Sequence, residues 1–229
     1  MSKLFIVGTP IGNMKDITLR AIETLKKVDV IACEDTRVTQ KLLKYYEIKD
    51  KRLIAYHDRN ESSSAKGIID LINSGKDVAV VSDAGMPVIN DPGFEVIRLA
   101  IKEEIKIEII PGVSSITTVA TMSNLDSHFK FLGFLKPKQG QRINQLKTLT
   151  KGSYIYLASP HRLINELNDI LNVIGDVKIY IGRELTKKFE THYRGHVSEV
   201  INKVKDEVKG EFTICFEIPK KAKVNKYAK

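Results

Sequence analysis

Cysteine is scarce: Cys33 and Cys215 are the only two in 229 residues, each inside an apolar, strand-like run. Neither lies near a second cysteine or a histidine at metal-ligand spacing, so no disulfide framework is expected and both read as small buried residues of a reducing compartment. The five histidines, His57, His128, His161, His192 and His196, form no zinc-type cluster, and no metal is expected. Long apolar runs are missing too, none approaching the roughly 20 residues needed to span a bilayer. Residues 1–8 run straight into a short apolar strand, without a charged leader segment or cleavage site. These absences point to a soluble, cytoplasmic protein. With 42% hydrophobic residues the chain can fill a sizeable core without staples.

Acids are absent from two segments, and this explains the net charge of +9. Lys136, Lys138, Arg142, Lys147 and Lys151 place +5 on residues 136–151, and Lys220, Lys221, Lys223, Lys226 and Lys229 place another +5 on residues 220–229, leaving the other 203 residues at −1. Local basic segments of this kind suit a phosphate backbone, and an anionic small substrate would suit them almost as well. The lysine tail is biased enough in composition to be expected disordered.

The first half alternates apolar strands, at 4–7, 28–33, 53–56, 78–81 and 105–110, with helical patterns such as Leu19, Ile22, Leu25 and Val28, or Phe94, Ile97 and Ile101. That alternation predicts a mostly parallel sheet covered on both faces, closed by a helix over 114–122. The second half begins afresh with strands at 129–135, 154–157, 177–181, 189–193 and 212–218. A basic helix near 139–150, one carrying Leu163, Leu167, Ile170 and Ile174, and one near 197–207 lie between them. Its hairpin-like spacings predict a mixed sheet. The expectation is two α/β domains, 1–122 and 123–219, with 220–229 as a basic tail.

Four loops follow strand ends, where open α/β sheets place ligands. Gly8-Thr-Pro-Ile-Gly-Asn13 lacks both the dinucleotide fingerprint and the phosphate-loop pattern, so neither NAD nor ATP is favoured. Ser82-Asp-Ala-Gly-Met-Pro-Val-Ile-Asn-Asp-Pro-Gly93 carries more turn residues than a simple connection needs; its glycines allow close backbone approach, and Asp83 can accept hydroxyl or cationic donors. Pro111-Gly-Val-Ser-Ser115 leads from a strand into a helix, where free amides meet a carboxylate or Ser114 or Ser115 simply caps. Glu34-Asp-Thr-Arg37 reads either as a helix start with surface charge or as a polar site.

These segments, together with Asp16-Ile-Thr18, Gly133-Phe-Leu135, Ser159-Pro-His-Arg162, Arg183-Glu-Leu-Thr-Lys-Lys-Phe-Glu190 and Gly210-Glu-Phe212, resemble the ribosomal RNA branch of the tetrapyrrole methylase superfamily. The matches run from residue 4 to about 218 and are specific as an ordered set. The resemblance implies two α/β domains with a cofactor cleft between them, a homodimer, and S-adenosylmethionine as cofactor. It also implies methylation of the 2'-oxygen of a cytidine in the decoding region of 16S ribosomal RNA. Pro10, Asp83, Ala84, Gly85, Met86, Ser114 and Ser115 are the implied cofactor contacts from the first domain, and Leu157, Ala158 and Leu185 those from the second. The sequence departs from the family pattern at Met86 and Asn90, at Ala158, where an acid is common, and at Leu135-Lys-Pro-Lys138, where the usual order is changed.

Methyl transfer to a hydroxyl needs the acceptor oxygen aligned with the methyl group and its proton removed. Asp35 and Glu184, in matched segments at predicted strand ends, are the carboxylates expected to accept that proton, or else to position basic neighbours. Arg37, Arg183 and Lys187 are expected to hold phosphate or ribose, and Lys136, Lys138 and Arg142 to contact the RNA backbone. Methylation of a tetrapyrrole and a non-catalytic ribosome-assembly role are the competing readings.

Overall fold

The structure, a computed structural model, describes residues 2–57 and 59–220. Of the basic tail only Lys220 falls inside that range, so the expected disorder of 220–229 lies outside the described residues. Two compact units divide the chain, Met1–Ser114 and Ser115–Lys229.

The first unit holds strands β1 (Leu4–Val7), β2 (Val30–Cys33), β3 (Arg52–Ala55), β4 (Val78–Val81) and β5 (Ile107–Ile110), with helices α1 (Leu19–Lys27), α2 (Thr36–Tyr45), α3 (Glu61–Asn73) and α4 (Phe94–Lys102). All strand pairs are parallel, in the order β3-β2-β4-β1-β5. Every residue of β1, β2 and β4 is buried, as continuous apolar runs require when helices cover both faces. Alternation along the strands sorts the side chains. Phe5, Val7, Ile31 and Cys33 meet Leu25 of α1 and Leu42 of α2, whereas Leu4, Ile6, Val30 and Val80 meet Ile68 of α3 and Val96 of α4. The chain winds from β1 outward through β2 to β3, then crosses back to β4 and β5. Helices following neighbouring strands therefore lie on opposite faces, and crevices open on both sides of the carboxyl end of β4.

One helix presents a different face from that suggested by its spacing. Val96 and Ala100 of α4 are buried, while Phe94 and Ile101 are 65% and 66% exposed. The packing on α3 selects the smaller pair, because a four-residue step brings their short side chains against Ala65 and Ile68.

The second unit holds α5 (Ser115–Ser123), β6 (Phe129–Phe134), α6 (Gln139–Lys147), β7 (Gly152–Ala158), α7 (Leu163–Val173), β8 (Lys178–Arg183), β9 (Thr191–His196), α8 (Val197–Val204) and β10 (Phe212–Ile218). Its sheet runs β6-β7-β10-β8-β9 and is mixed, with β6 parallel to β7 and the other pairs antiparallel. Tyr154, Tyr156, Ile179, Ile181, Ile214 and Phe216 form one core with Leu146, Leu167 and Val200 from α6, α7 and α8. Helix α5 packs against β7, β8 and β10. The Arg194 guanidinium also donates to the carbonyl of Met122 in that helix. The units consequently divide one helix earlier than the 122/123 boundary expected from the sequence. No helix of the described residues is long and apolar enough to cross a membrane.

Candidate active site

Three loops of the first unit meet beyond the carboxyl ends of β1, β4 and β5. The Thr9 amide donates to the Gly85 carbonyl at 2.9 Å and the Gly85 amide to the Thr9 carbonyl at 3.2 Å, so the first two loops are joined like a short ladder. The buried Thr9 hydroxyl adds a bond to the Ser82 carbonyl at 3.1 Å. The β1 and β5 loops press backbone on backbone: a Cβ at Gly8 would lie 2.8 Å from the Gly112 Cα, and one at Gly112 would lie 3.0 Å from the Gly8 Cα. Gly85 has φ +82°, a conformation side chains resist, and Val88 and Asn90 of the same loop take φ 78° and 65° without being glycine. Pro10 is buried, Met86 is half-buried with its sulfur against Gly8, and Ala84 is exposed. Ser114 ends this unit, and Ser115 opens α5 of the next.

Next along the sheet edge come the ends of β4, β2 and β3. Asp83 accepts the Asp35 amide at 3.0 Å. Burial pushes the Asp83 carboxyl up, as does the nearby Asp35 charge, against the opposing pull of that amide and of Arg37. Asp35 behaves in the opposite way. Its side chain caps α2 through the Arg37 amide at 2.8 Å and holds the Arg37 guanidinium at 2.6 Å. Those bonds hold its pKa at about 2. In this structure Asp35 therefore caps α2 and anchors Arg37. Arg37 remains 84% exposed at the mouth of the site.

The candidates in the second unit share one edge of its sheet, where Leu157 and Ala158 end β7 and Arg183 ends β8 with β10 between them. Leu185 folds back on β8, its Cδ2 lying 2.8 Å from where a Cβ on Gly182 would stand. The Glu184 carboxylate is engaged within its own unit: it takes the Glu211 amide at 2.8 Å and the Lys187 ammonium at 3.1 Å. Although burial works against ionisation, these bonds leave its pKa below the ordinary carboxylate value. Lys187 bonds Glu211 as well at 3.1 Å, and Arg183 spends its donors on the Lys209 carbonyl at 2.7 Å and on Thr191. The segment thus closes on itself around Glu184 and Thr186, which have φ 51° and 66°.

The basic segment divides sharply by burial. Lys136, Lys138, Lys147 and Lys151 are exposed. Arg142 is 3% exposed and forms an ion pair with Asp169 at 2.6 Å, so it is not available to a phosphate and the expectation that it contacts RNA is corrected. A count of charges along the chain cannot register a partner 27 residues away.

The Tetrapyrrole (Corrin/Porphyrin) Methylases family model matches residues 3–201. The chain belongs to the tetrapyrrole methylase family. It is 53% identical over 220 residues to "Ribosomal RNA small subunit methyltransferase I" of Mycoplasmopsis pulmonis, covering 95% of this chain and 99% of the relative. It is 46% identical over 218 residues to the Thermotoga maritima protein of the same name, covering 93% and 97%. Among solved structures it resembles a Thermus thermophilus uroporphyrin-III C-methyl transferase complexed with S-adenyl homocysteine, with TM-score 0.67, 16% identity, and 94% and 97% of the chains covered. That last likeness supports the tetrapyrrole methylase fold.

Sequence reasoning missed two residues on this tetrapyrrole methylase edge. Glu61 accepts the amides of Gly93 at 2.9 Å and Glu95 at 3.2 Å, capping α4, and also the Tyr56 hydroxyl at 3.2 Å. His57, just past β3, has a buried Nδ1 without a hydrogen-bond partner among the described residues. The same strand-end rule that singled out Asp35 and Asp83 extends to 56–61.

Proposed function

We propose that this protein transfers a methyl group from S-adenosylmethionine to the ribose 2'-oxygen of a cytidine in the decoding region of 16S ribosomal RNA. The observation that carries the reading is the near full-length similarity to relatives named ribosomal RNA small subunit methyltransferase I. When bound, S-adenosylmethionine supplies an electrophilic methyl group on a sulfonium. The first unit's donor set fits its amino-acid end. Asp83 is a half-buried carboxylate suited to an ammonium, and the small, exposed Ala84 beside Gly85 leaves room for close approach. Pro10, Met86, Ser114 and Ser115, with Leu157, Ala158 and Leu185, are the further cofactor contacts of this reading.

The chain's own contribution to rate is placement of the acceptor, because alignment of two reactants removes much of the barrier. Arg37, held by Asp35, is proposed to take the ribose-phosphate, and Lys136 and Lys138 the flanking backbone. Small-subunit RNA as partner, a homodimer and a cytoplasmic location complete the reading. The test is incubation with labelled S-adenosylmethionine and either 16S ribosomal RNA or small subunits from cells lacking the protein, followed by mass-spectrometric mapping. Label on a cytidine ribose in the decoding region is expected. Label on a base, or transfer only to a tetrapyrrole, would refute it.

A further inference from the structure

The turn 136–138 is held from beneath by a buried ion pair, Arg142 with Asp169, and by two glutamines nearer the surface. Arg142 Nη1 donates to the carbonyls of Lys136 at 3.1 Å and Pro137 at 3.0 Å. The rest of the same guanidinium grips Asp169 of α7, through Nε at 2.7 Å and Nη2 at 2.6 Å. Gln139 donates to the other Asp169 oxygen at 3.1 Å, and Gln145 accepts the Lys136 amide at 3.0 Å. Taking both charges of an ion pair out of water is unfavourable unless further hydrogen bonds complete it, and an apolar pair would fill the same space without that cost. What an apolar pair would lack is the two donors to the turn. A lysine ammonium has three donors on one flexible atom, whereas the five donors of a planar guanidinium are fixed in direction and reach the carboxylate and both carbonyls together.

We propose that Arg142 is a positioning residue, fixing the 136–138 turn so that the exposed Lys136 and Lys138 ammonium groups grip adjacent phosphates of the RNA substrate. The proposal rests on the ribosomal RNA reading above. Ordering a turn before binding removes entropy that a loose loop would lose on meeting the RNA, so loss of the clamp weakens RNA binding and leaves the cofactor loops of the first unit untouched.

Removing one partner alone would strand a buried charge, so the informative variant is Arg142→Met with Asp169→Leu, in which both are replaced by apolar side chains. Gln145→Leu is the second variant, because it releases the turn amide and leaves the ion pair in place. For each, half-saturation by 16S ribosomal RNA, kcat, S-adenosylmethionine affinity by calorimetry and the salt dependence of RNA binding are measured on the full chain. Half-saturation is expected to rise about tenfold, the scale of one charge-assisted hydrogen bond, with kcat and cofactor affinity unchanged. The slope of log K against log salt should flatten by roughly 0.7 for each phosphate no longer gripped, matching a Lys136→Gln, Lys138→Gln variant. Unchanged half-saturation and slope in both clamp variants, when the lysine variant weakens binding, would overturn the positioning role. An unchanged slope in the lysine variant would overturn the phosphate grip. Failure of the parent protein to methylate the RNA at all would instead count against the function on which the proposal rests.

Discussion

Replacing Gly8 by alanine tests whether the loops beyond β1 and β5 must touch. The new Cβ would stand 2.7 Å from the Met86 Sδ and 2.8 Å from both the Cα and the nitrogen of Gly112. The Met86 side chain can swing aside, whereas the Gly112 backbone is fixed at the end of a parallel strand. Ordinary carbon contacts lie at about 3.5–4.0 Å, so the loops must part by roughly 1 Å. Overpacking of this kind costs about 1–3 kcal/mol. A loss of about 2 kcal/mol lowers the melting temperature by about 4–8 °C in a chain of this size. Because the moved backbone belongs to the proposed cofactor site, S-adenosylmethionine affinity should fall about tenfold or more in calorimetry. Gly67→Ala is the control with opposite sign: it lies within α3, a Cβ there meets nothing within 4 Å, and the helix should gain about 0.5–1 kcal/mol. Unchanged melting and affinity in Gly8→Ala would refute the claim that these two loops form one rigid support.

Asp83→Ala and Gly85→Val should each weaken S-adenosylmethionine binding, the first by removing the half-buried carboxylate and the second by placing a branched residue at φ +82°; unaltered affinity in both folded proteins would remove this loop from the site. Asp35 ionises more readily when folded, its pKa falling from 3.8 to about 2, so its stabilising contribution is complete above pH 3.8 and lost as pH falls through about 2. Asp35→Asn keeps a capping oxygen and drops the charge, so the difference in melting temperature between parent and variant should shrink across that window; a constant difference would contradict the assignment. Glu61→Ala removes the acceptor for the first amides of α4 and should cost about 1–2 kcal/mol in denaturant unfolding, and a loss below about 0.5 kcal/mol would show that the cap is dispensable.

Several strands were legible as short apolar runs: residues 4–7, 78–81 and 212–218 appear in the structure with the bounds the pattern predicts, whereas the polar β9 falls at 191–196 rather than 189–193. The loops that follow them were legible as loops because glycine and proline collect just past the strand ends, at 8–12, 85–93 and 111–112. Other features depend on partners remote in sequence. The apolar stripe of α4 names Phe94, Ile97 and Ile101, yet packing against α3 buries Val96 and Ala100, with Ile97 partly buried beside them. Arg142 looks like one more surface cation until α7 delivers Asp169 beside it. The low basicity of Asp35 and Glu184 comes from amides and cations placed by the fold, which leave no trace in residue type. His57 and Glu61 were overlooked because the stretch they occupy carries none of the glycine density that marked the other loops.

The central strand of the second sheet is also its latest in the chain. Residues 212–218 fill the gap between β7 and β8, pairing with both. Until they emerge during synthesis, two hydrophobic strands have facing edges with nothing to join, and local contacts alone cannot complete the unit. A nick or premature stop ahead of Phe212 would therefore not shorten a surface element; it would split the sheet into β6-β7 and β8-β9 halves, leaving Tyr154, Ile155, Tyr180 and Ile181 without their common neighbour. Damaged products of this kind should be conspicuous to proteases, while an intact first unit upstream remains able to fold.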